Sequence, residues 1–327
     1  MKTKLDKYFR ISQRGSTIGT ELIGGATTFA TMAYILAYMT GAMSAVPGID
    51  LTGVLLCTAL ITAISCIAMG LVANAPIALA PVLVIPNLVA GMVASGEATY
   101  GQAFGTVAIS GIVFLLISVF KLRDLFARSL PKNIKIGIGG AVGLLIASIG
   151  LNTSGLAAAG EDGSFINFSD KSVQLGLIGL AIALLLTYLK ITVNGRTYKI
   201  KGALLISIVL TTIIGIPMGV TVLPENIFTR GALASIGNVA FQVDILGALK
   251  LSFVPFIIML LINDFFGTLG TGLAMAGKAG LLDEDGNFPA FGKVFLVDSS
   301  ATILGSLFGI TTVSCFAESA AGVESGS

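Results

Sequence analysis

Residues 309–323 read Gly-Ile-Thr-Thr-Val-Ser-Cys-Phe-Ala-Glu-Ser-Ala-Ala-Gly-Val and place one carboxylate, Glu318, among small and hydroxyl side chains. The residues before the acid are β-branched and those after it favour helix, so the pattern predicts a short extended segment that turns into a helix near Glu318. Within a membrane, backbone can leave the helix only where protein or a water-filled cavity satisfies its N–H and C=O groups. A broken element that carries a charge therefore predicts a binding site.

The composition of the chain predicts an all-α polytopic membrane protein. Of its 327 residues, 55% are hydrophobic and only 11% are charged, and the mean hydropathy is +0.96. Soluble domains carry about 25% charged residues, and a soluble fold could not bury this much apolar surface. A helix needs about 20 apolar residues to cross a bilayer. The sequence predicts about ten spans on that basis, near 22–45, 52–73, 76–95, 102–120, 135–151, 172–189, 202–216, 248–272, 294–309 and 310–325.

The lysine and arginine residues predict the orientation, because cytoplasmic loops retain positive charge. If the N-terminus is cytoplasmic, the order of the spans places all 19 Lys and Arg residues on that side except Lys171, Arg230 and Lys250. This distribution predicts a multi-pass protein of the cell membrane with a cytoplasmic N-terminus. The net charge of +2 gives no indication of a nucleic-acid partner.

The chain contains no histidine, which excludes several kinds of site. Histidine proton relays, Ser-His-Asp chemistry and His-ligated metals all need that residue, and the 3 cysteines lie in predicted spans without metal-ligand spacing. We therefore expect no metal, no cofactor and no catalytic residue. An intramembrane enzyme would need a nucleophile with a base or a metal site, so we expect a protein that is not an enzyme.

The predicted third span is interrupted by prolines at positions 76, 81 and 86. Each proline removes a backbone donor and clashes with the preceding turn, so Val82 to Ile85 is predicted to be extended. A broken element here and another at 310–325 is the pattern of a midplane site between inverted repeats. A Pro-kinked packing helix is the alternative. Asn87, which follows the third proline, is a candidate substrate ligand.

The predicted eighth span carries Asp264 well inside an apolar run. An ionised carboxylate there costs about 2.5–3.5 kcal/mol or more unless it faces a cavity or a partner. Asn263 and Thr268 supply neighbouring hydrogen-bonding groups, and all three residues are candidate substrate ligands. An aspartate satisfied by backbone, Ser or Thr inside the bundle is the alternative. In the first span, Thr28 either lines a polar pocket, as a further candidate ligand, or serves close helix packing.

Four motifs resemble the nucleobase:cation symporter family, which comprises the nucleobase/ascorbate-type transporters. They occur in the expected order and read TTFATMAYIL at 27–36, ANAPIALAP at 73–81, KAGLLDEDG at 278–286 and ESAAGV at 318–323. The branch that they resemble most is that of the AzgA-like guanine/hypoxanthine/adenine permeases.

The resemblance implies two inverted repeats of about seven spans each, a 7+7 fold, whose third and tenth spans are discontinuous and carry short β-strands. Residues 1–216 would form the first repeat and residues 217–327 part of the second. The resemblance also implies a secondary transporter in the lipid bilayer that imports purine nucleobases with a proton or another cation, and it is compatible with a homodimer. Glu318, followed by Ser319, would be the substrate carboxylate, and Glu318 or Asp264 would carry the proton.

The chain departs from the branch at several positions near the expected site. Gly267 stands where the branch carries an acid, Met39-Thr40 where it carries Asn-Pro, and Val82 to Pro86 where it carries Gly-Met-Gly-Leu-Asn. Other substrates of the same architecture, such as uracil, xanthine or sulfate, therefore stay open as alternatives. The resemblance also implies about four gate spans after residue 327, so we expect a C-terminally truncated chain, and a non-functional remnant is a further alternative.

Overall fold

The computed structural model describes residues 4–120, 166–193, 196–199, 203–222, 231–284 and 286–324, with isolated positions between 137 and 156. Short 3-10 helices cover Ser12–Arg14, Ala232–Asn238 and Leu251–Phe253, and a π-helical segment, Met69–Ala73, continues the fourth helix. The other elements are α1 (Lys4–Phe9), α2 (Ile18–Met32), α3 (Tyr34–Met43), α4 (Leu51–Ala68), β1 (Leu79–Pro81), α5 (Val84–Ala94), α6 (Tyr100–Val119), α7 (Lys171–Tyr188), β2 (Lys190–Val193), β3 (Arg196–Lys199), α8 (Ala203–Met218), α9 (Ile245–Ala248), α10 (Val254–Lys278), α11 (Phe291–Leu307), β4 (Val313–Cys315) and α12 (Ser319–Glu324).

Helices long enough to cross a membrane dominate the described residues. Five apolar segments have the required length: Ile18–Met43, Leu51–Ala73, Tyr100–Val119, Lys171–Tyr188 and Leu251–Lys278. Their exposed surfaces are largely aliphatic, as lipid-facing helices require. The prediction of a helical membrane protein is therefore confirmed. The count of about ten spans stays a prediction, because Val84–Ala94 and Ile206–Met218 are shorter apolar helices and the span near 135–151 lies largely outside the described residues.

The chain divides by its contacts into two compact units. The larger unit contains residues 32–139 and 229–319, and the smaller unit contains residues 1–31, 140–228 and 320–327. The repeat boundary at residue 216 stays a prediction.

An aromatic cluster forms the centre of the larger unit. Phe114 of α6, Phe265 and Leu269 of α10, and Phe295 of α11 pack together, each at most 6% exposed. Gly111 allows α6 to approach α11 closely, since a Cβ at this position would lie 2.9 Å from Cγ1 of Ile303. Small residues at such crossings are the usual device by which membrane helices pack.

Two helices of the larger unit, α4 and α6, begin with side-chain caps. Asp50 caps α4 by accepting a hydrogen bond from the Gly53 amide at 3.1 Å. Thr99 and Gln102 form a reciprocal capping box at the start of α6. Both caps satisfy amide groups that a helix N-terminus leaves without an intrahelical acceptor.

Within the smaller unit, α7 and α8 lie side by side. Ser207 Oγ donates to the Gly179 carbonyl at 3.2 Å, and Gly179 leaves room for Thr211, whose Cγ2 would lie 3.0 Å from an added Cβ. The strands β2 and β3 pair as an antiparallel hairpin between these helices in the chain. Elsewhere in this unit Gly322 of α12 packs against Thr28 of α2.

A second two-stranded antiparallel sheet joins β1 to β4 in the larger unit. Leu79 pairs with Cys315, Ala80 with Ser314 and Pro81 with Val313, so both discontinuous spans carry a short strand, as the resemblance implies. The prediction that Val82 to Ile85 is extended is wrong from Leu83 onward, because Leu83 already has helical dihedral angles and α5 begins at Val84. Pro86 lies in the first turn of α5, where a missing N–H removes no intrahelical hydrogen bond.

Candidate functional site

The outer edge of strand β1 is covered by a cysteine side chain. Alternate residues of an antiparallel strand direct their N–H and C=O groups away from the partner strand, and Leu79 occupies such a position. Cys66 Sγ of α4 lies 3.3 Å from the Leu79 amide, from which it accepts, and 3.4 Å from the Leu79 carbonyl, to which it donates. Cys66 thus supplies the partners that membrane-embedded backbone requires.

The outer edge of strand β4 is covered in the same way by a threonine of α11. Thr302 Oγ1 lies 2.9 Å from the carbonyl oxygen of Val313 and accepts from the amide of Val313 at 3.2 Å. Pro81, opposite Val313, has no backbone N–H. Its backbone faces away from β4, so the pairing of the two strands loses no hydrogen bond. Helix side chains therefore cover both edges of this sheet.

Glu318 lies in the turn between β4 and α12. Before it, the amide of Phe316 donates to the carbonyl of Ala78 at 2.9 Å. After it, Ser319 Oγ accepts from the amide of Ala78 at 2.9 Å and donates to the carbonyl of Phe316 at 2.6 Å. Both backbone groups of Ala78 are thus tied to the segment that carries the acid. Ser319, a predicted substrate ligand, is 1% exposed and holds this turn in place.

The carboxylate of Glu318 contacts a tyrosine from α3. Tyr34 Oη donates to Glu318 Oε1 at 2.6 Å, and the Tyr34 ring lies 6.3 Å from that of Phe316 with 36° between the ring planes. Tyr34 is the first residue of α3, directly after the interruption at Ala33 that separates α3 from α2.

Two further carboxylates form a fully buried pair next to β4. Asp264 of α10 and Asp298 of α11 are both 0% exposed and interact electrostatically with each other. Asp264 Oδ2 accepts from Thr302 Oγ1 at 2.9 Å. Asp298 Oδ2 accepts from the amide of Cys315 at 3.2 Å. The pair is thereby connected to the edge of β4.

Hydroxyl groups complete the surroundings of Asp298. Thr268 Oγ1 donates to Asp298 Oδ2, Ser314 Oγ donates to the same oxygen at 3.3 Å, and the two hydroxyls lie 2.8 Å apart. Within the described part of the chain, the Oδ1 atoms of Asp264 and Asp298 have no hydrogen-bond partner. The described hydrogen bonds of both aspartates come from hydroxyls and one amide, with no cation among them.

The structure brings some of the predicted ligands together in the larger unit and separates others. Glu318 and Ser319 lie at the strand ends. Asp264 belongs to the acid pair, and Thr268 donates to its other member, Asp298. Asn263, their neighbour in α10, is half-buried. The remaining two lie elsewhere: Asn87 Nδ2 donates to Tyr38 Oη at 2.7 Å, and Thr28 lies in the smaller unit.

Gly267, where the resemblance leads one to expect an acid, lies on α10 facing β4. A Cβ at this position would lie 3.9 Å from Ser314 Oγ, which is ordinary van der Waals distance. A longer side chain here would therefore reach the strand that leads to Glu318. At this point the chain has a glycine beside Ser314 rather than a further carboxylate.

The sequence does not single out several residues of the site, of which Asp298 and Tyr34 contact its carboxylates most directly. The sequence predicts the ninth span from residue 294, which leaves Asp298 near its start, but α11 begins at Phe291 and buries Asp298 completely. The spacing of Asp298 and Thr302, four residues apart on one helix face, was the available signal. The contact of Tyr34 arises only from the tertiary fold.

Comparison with known proteins gives consistent matches along the whole chain. The sequence profile of the permease family (Xan_ur_permease) matches residues 19–327. A putative permease, MJ0326, from Methanocaldococcus jannaschii is 34% identical over 325 residues, which cover 98% of this chain and 72% of the relative. The adenine permease AdeP of Escherichia coli K12 is 32% identical, with 98% and 70% covered. The guanine/hypoxanthine permease PbuG of Bacillus subtilis is 30% identical, with 98% and 73% covered.

Solved structures share the fold at low sequence identity. SLC26A9 has a TM-score of 0.55 and 14% identity, and the match covers 99% of this chain and 51% of that one. The transmembrane domain of the cyanobacterial bicarbonate transporter BicA has a TM-score of 0.53 and 17% identity, with 94% and 76% covered. The chain thus spans about half the length of SLC26A9, and both matches concern the fold alone.

Proposed function

The chain belongs to the permease family, and on that premise we propose that it moves purine nucleobases across a membrane by proton symport. Membership of the family makes it a membrane transporter rather than an enzyme. Curated relatives named as adenine permeases and guanine/hypoxanthine permeases support purines as the substrate class. The observation that carries the proposal is the carboxylate of Glu318, held just beyond the paired ends of β1 and β4 in a chain with only 11% charged residues.

Glu318 would recognise the nucleobase by accepting hydrogen bonds from the N–H groups of the base. Purine bases are planar heterocycles with donors and acceptors along their edges, and a carboxylate accepts hydrogen bonds only. The bonds of Ala78 with Phe316 and Ser319 fix the turn that presents the acid. A charged acceptor held in place strengthens each hydrogen bond that it receives in a site shielded from water.

The proposed proton site is the pair of Asp264 and Asp298. Two ionised carboxylates close together, fully buried and bonded only to neutral donors, are costly. One proton shared between them removes one of the two charges. The titratable group next to the pair is the thiol of Cys315 on β4, which interacts with Asp298. The helices packed around the pair carry a few others: Cys57 and Cys66 on α4, Tyr100 on α6, Lys278 in the last turn of α10 and Lys293 in the first turn of α11.

The pair is connected to the substrate site through β4. Asp298 accepts from the amide of Cys315 and from Ser314 Oγ, and Glu318 follows Cys315 in the chain by one short turn. Gain or loss of the proton changes the charge of the acceptor that these groups contact. Proton binding and substrate binding would thus be coupled through the position of β4. The strand interacts differently with the protonated and the deprotonated pair, and coupling requires such a difference.

Uptake into cells tests the substrate class. Cells that lack their own purine uptake and express this chain should accumulate labelled hypoxanthine, guanine or adenine, and unlabelled purines should compete while uracil, xanthine and sulfate should not. Glu318→Gln should abolish accumulation, because a neutral amide is a weaker acceptor. Glu97→Gln, a matched change of an exposed acid, should leave uptake as in the wild type. Accumulation by the Glu318→Gln variant would exclude the proposed role of this residue.

A second experiment separates coupling from binding. In proteoliposomes, Asp264→Asn should still exchange labelled for unlabelled purine but should no longer accumulate purine when a proton gradient is applied. Accumulation by this variant that still follows the proton gradient would contradict the proposed proton site.

We propose the wider architecture on the resemblance and the fold. Two inverted repeats of about seven spans would have their boundary near residue 216, with the N-terminus in the cytoplasm of a cell and a homodimer as the assembly. Labelling of a cysteine introduced near Lys4 by an impermeant reagent, in intact and in opened cells, tests the orientation. Labelling in intact cells would exclude a cytoplasmic N-terminus.

A further inference from the structure

The hydroxyl of Tyr34 donates a hydrogen bond to Glu318, the acid that is proposed to bind the substrate. Its distance of 2.6 Å from Glu318 Oε1 is in the range of hydrogen bonds to an ionised acceptor. The two residues are 284 positions apart in the chain, so the fold, and not local geometry, creates the contact. We propose that Tyr34 closes the substrate site of the empty transporter and that its hydroxyl gives up this place on Glu318 to an N–H of the nucleobase; this role rests on the proposed function.

The chemistry of the two donors supports an exchange. A phenol and a purine base are both planar aromatic groups that present a hydrogen-bond donor at the edge of the ring. Glu318 is half-buried, and the loss of a donor to a carboxylate that is partly removed from water is unfavourable. If the incoming N–H replaces the phenol O–H, this hydrogen bond to Glu318 persists before and after binding. The exchange also selects for ligands with an N–H donor, because a ligand without one would leave Glu318 with one donor fewer than in the empty site.

The position of Tyr34 allows such a movement. The side chain is 41% exposed, whereas the buried face of α3 is formed by Ile35, Met39 and Met43. Tyr34 lies outside that packed face, so a change of its rotamer does not disturb the packing of α3. The ring of Phe316 lies 6.3 Å from that of Tyr34, so a second aromatic group stands beside the phenol.

Tyr34→Phe tests the exchange, because it removes the hydroxyl and keeps the ring. Binding of labelled hypoxanthine to the purified full chain in nanodiscs should become about tenfold tighter, since the substrate no longer competes with a hydrogen bond to a charged group. KM for uptake should fall by a similar factor. Tyr188→Phe, the same change at a side chain that is 76% exposed, should leave Kd within about twofold. An unchanged or raised Kd in Tyr34→Phe would overturn the proposal.

Infrared spectroscopy provides a readout that needs no substrate. The carboxylate band of Glu318, identified by its loss in Glu318→Gln, should shift between the ligand-free wild type and ligand-free Tyr34→Phe. Addition of hypoxanthine to the wild type should change the tyrosine ring modes, and this change should be missing in Tyr34→Phe. Absence of either difference contradicts the exchange. If no purine binds the wild type, the proposed function fails; if purines bind and Tyr34→Phe has the wild-type Kd, only the role of Tyr34 fails.

Discussion

Replacement of Thr302 by valine should weaken the fold at the edge of β4 more than an equivalent change elsewhere. Thr302 is 0% exposed, and its hydroxyl contacts Asp264 Oδ2 at 2.9 Å and both backbone groups of Val313 at 2.9 and 3.2 Å. Valine keeps the shape and removes these contacts, so the cavity term is small. Each buried group left unsatisfied costs about 1–3 kcal/mol. With the Val313 amide and the Asp264 carboxylate both affected, the expected loss is about 2–5 kcal/mol.

Thermal unfolding of the purified chain measures this loss. The midpoint should fall by roughly 4–10 °C, from about 2 °C per kcal/mol for a large chain, and hypoxanthine binding should weaken because β4 leads to Glu318. Thr106→Val is the matched control, since Thr106 is also 0% exposed but donates only to the Ala103 carbonyl of its own helix, at 2.6 Å. Equal shifts in the two variants would refute the view that Thr302 supports the strand edge.

Three other changes test separate parts of the structure by thermal unfolding. Cys66→Ala should cost about 1–3 kcal/mol by leaving the amide and carbonyl of Leu79 without their partner, whereas Cys66→Ser, which retains a donor and an acceptor, should cost less; equal costs would contradict this edge contact. Gly111→Val should destabilise the chain strongly, because an added Cβ would lie 2.9 Å from Ile303 Cγ1; wild-type stability would exclude the close crossing of α6 and α11. The hydrogen bond from Asn238 holds the pKa of Asp50 below its usual value, so Asp50 stabilises the fold above its usual pKa and this contribution is lost as the pH falls through the lowered value. The stability of Asp50→Asn should therefore fall less steeply than that of the wild type below about pH 4, and an unchanged pH profile would refute that contribution.

The sequence predicts those features of the site that depend on local pattern. The β-branched run before Glu318 predicts a strand, and β4 occupies Val313–Cys315. Prolines between residues 76 and 86 predict a break in the third span, and β1 lies within it. The position of the strand was less predictable, because a proline interrupts a helix in its interior but is accommodated in its first turn.

Features created by tertiary contact could not be predicted in this way. Hydropathy places Asp298 at the boundary of a span, because a charged residue next to an apolar run usually indicates that the span begins or ends there. Its burial follows from the packing of α11 against α6 and from hydroxyls that α10 and β4 supply. The partner of Glu318 on α3 depends on a contact across 284 residues, for which periodicity carries no signal.

The pairing of β1 with β4 has a consequence for the order in which the protein forms during synthesis. Ala78 and Ser319, which close the sheet at one end, are 241 residues apart in the chain. Joining the ends of a flexible segment of that length costs about 5 kcal/mol of chain entropy, and β1 is made long before its partner exists. Helices can enter the bilayer one after another as they are translated. The edge of β1 that pairs with β4, however, has no partner strand until residues 313–315 are made. Assembly of the sheet is therefore a late step of biogenesis, and the proposed substrate site is complete only after it.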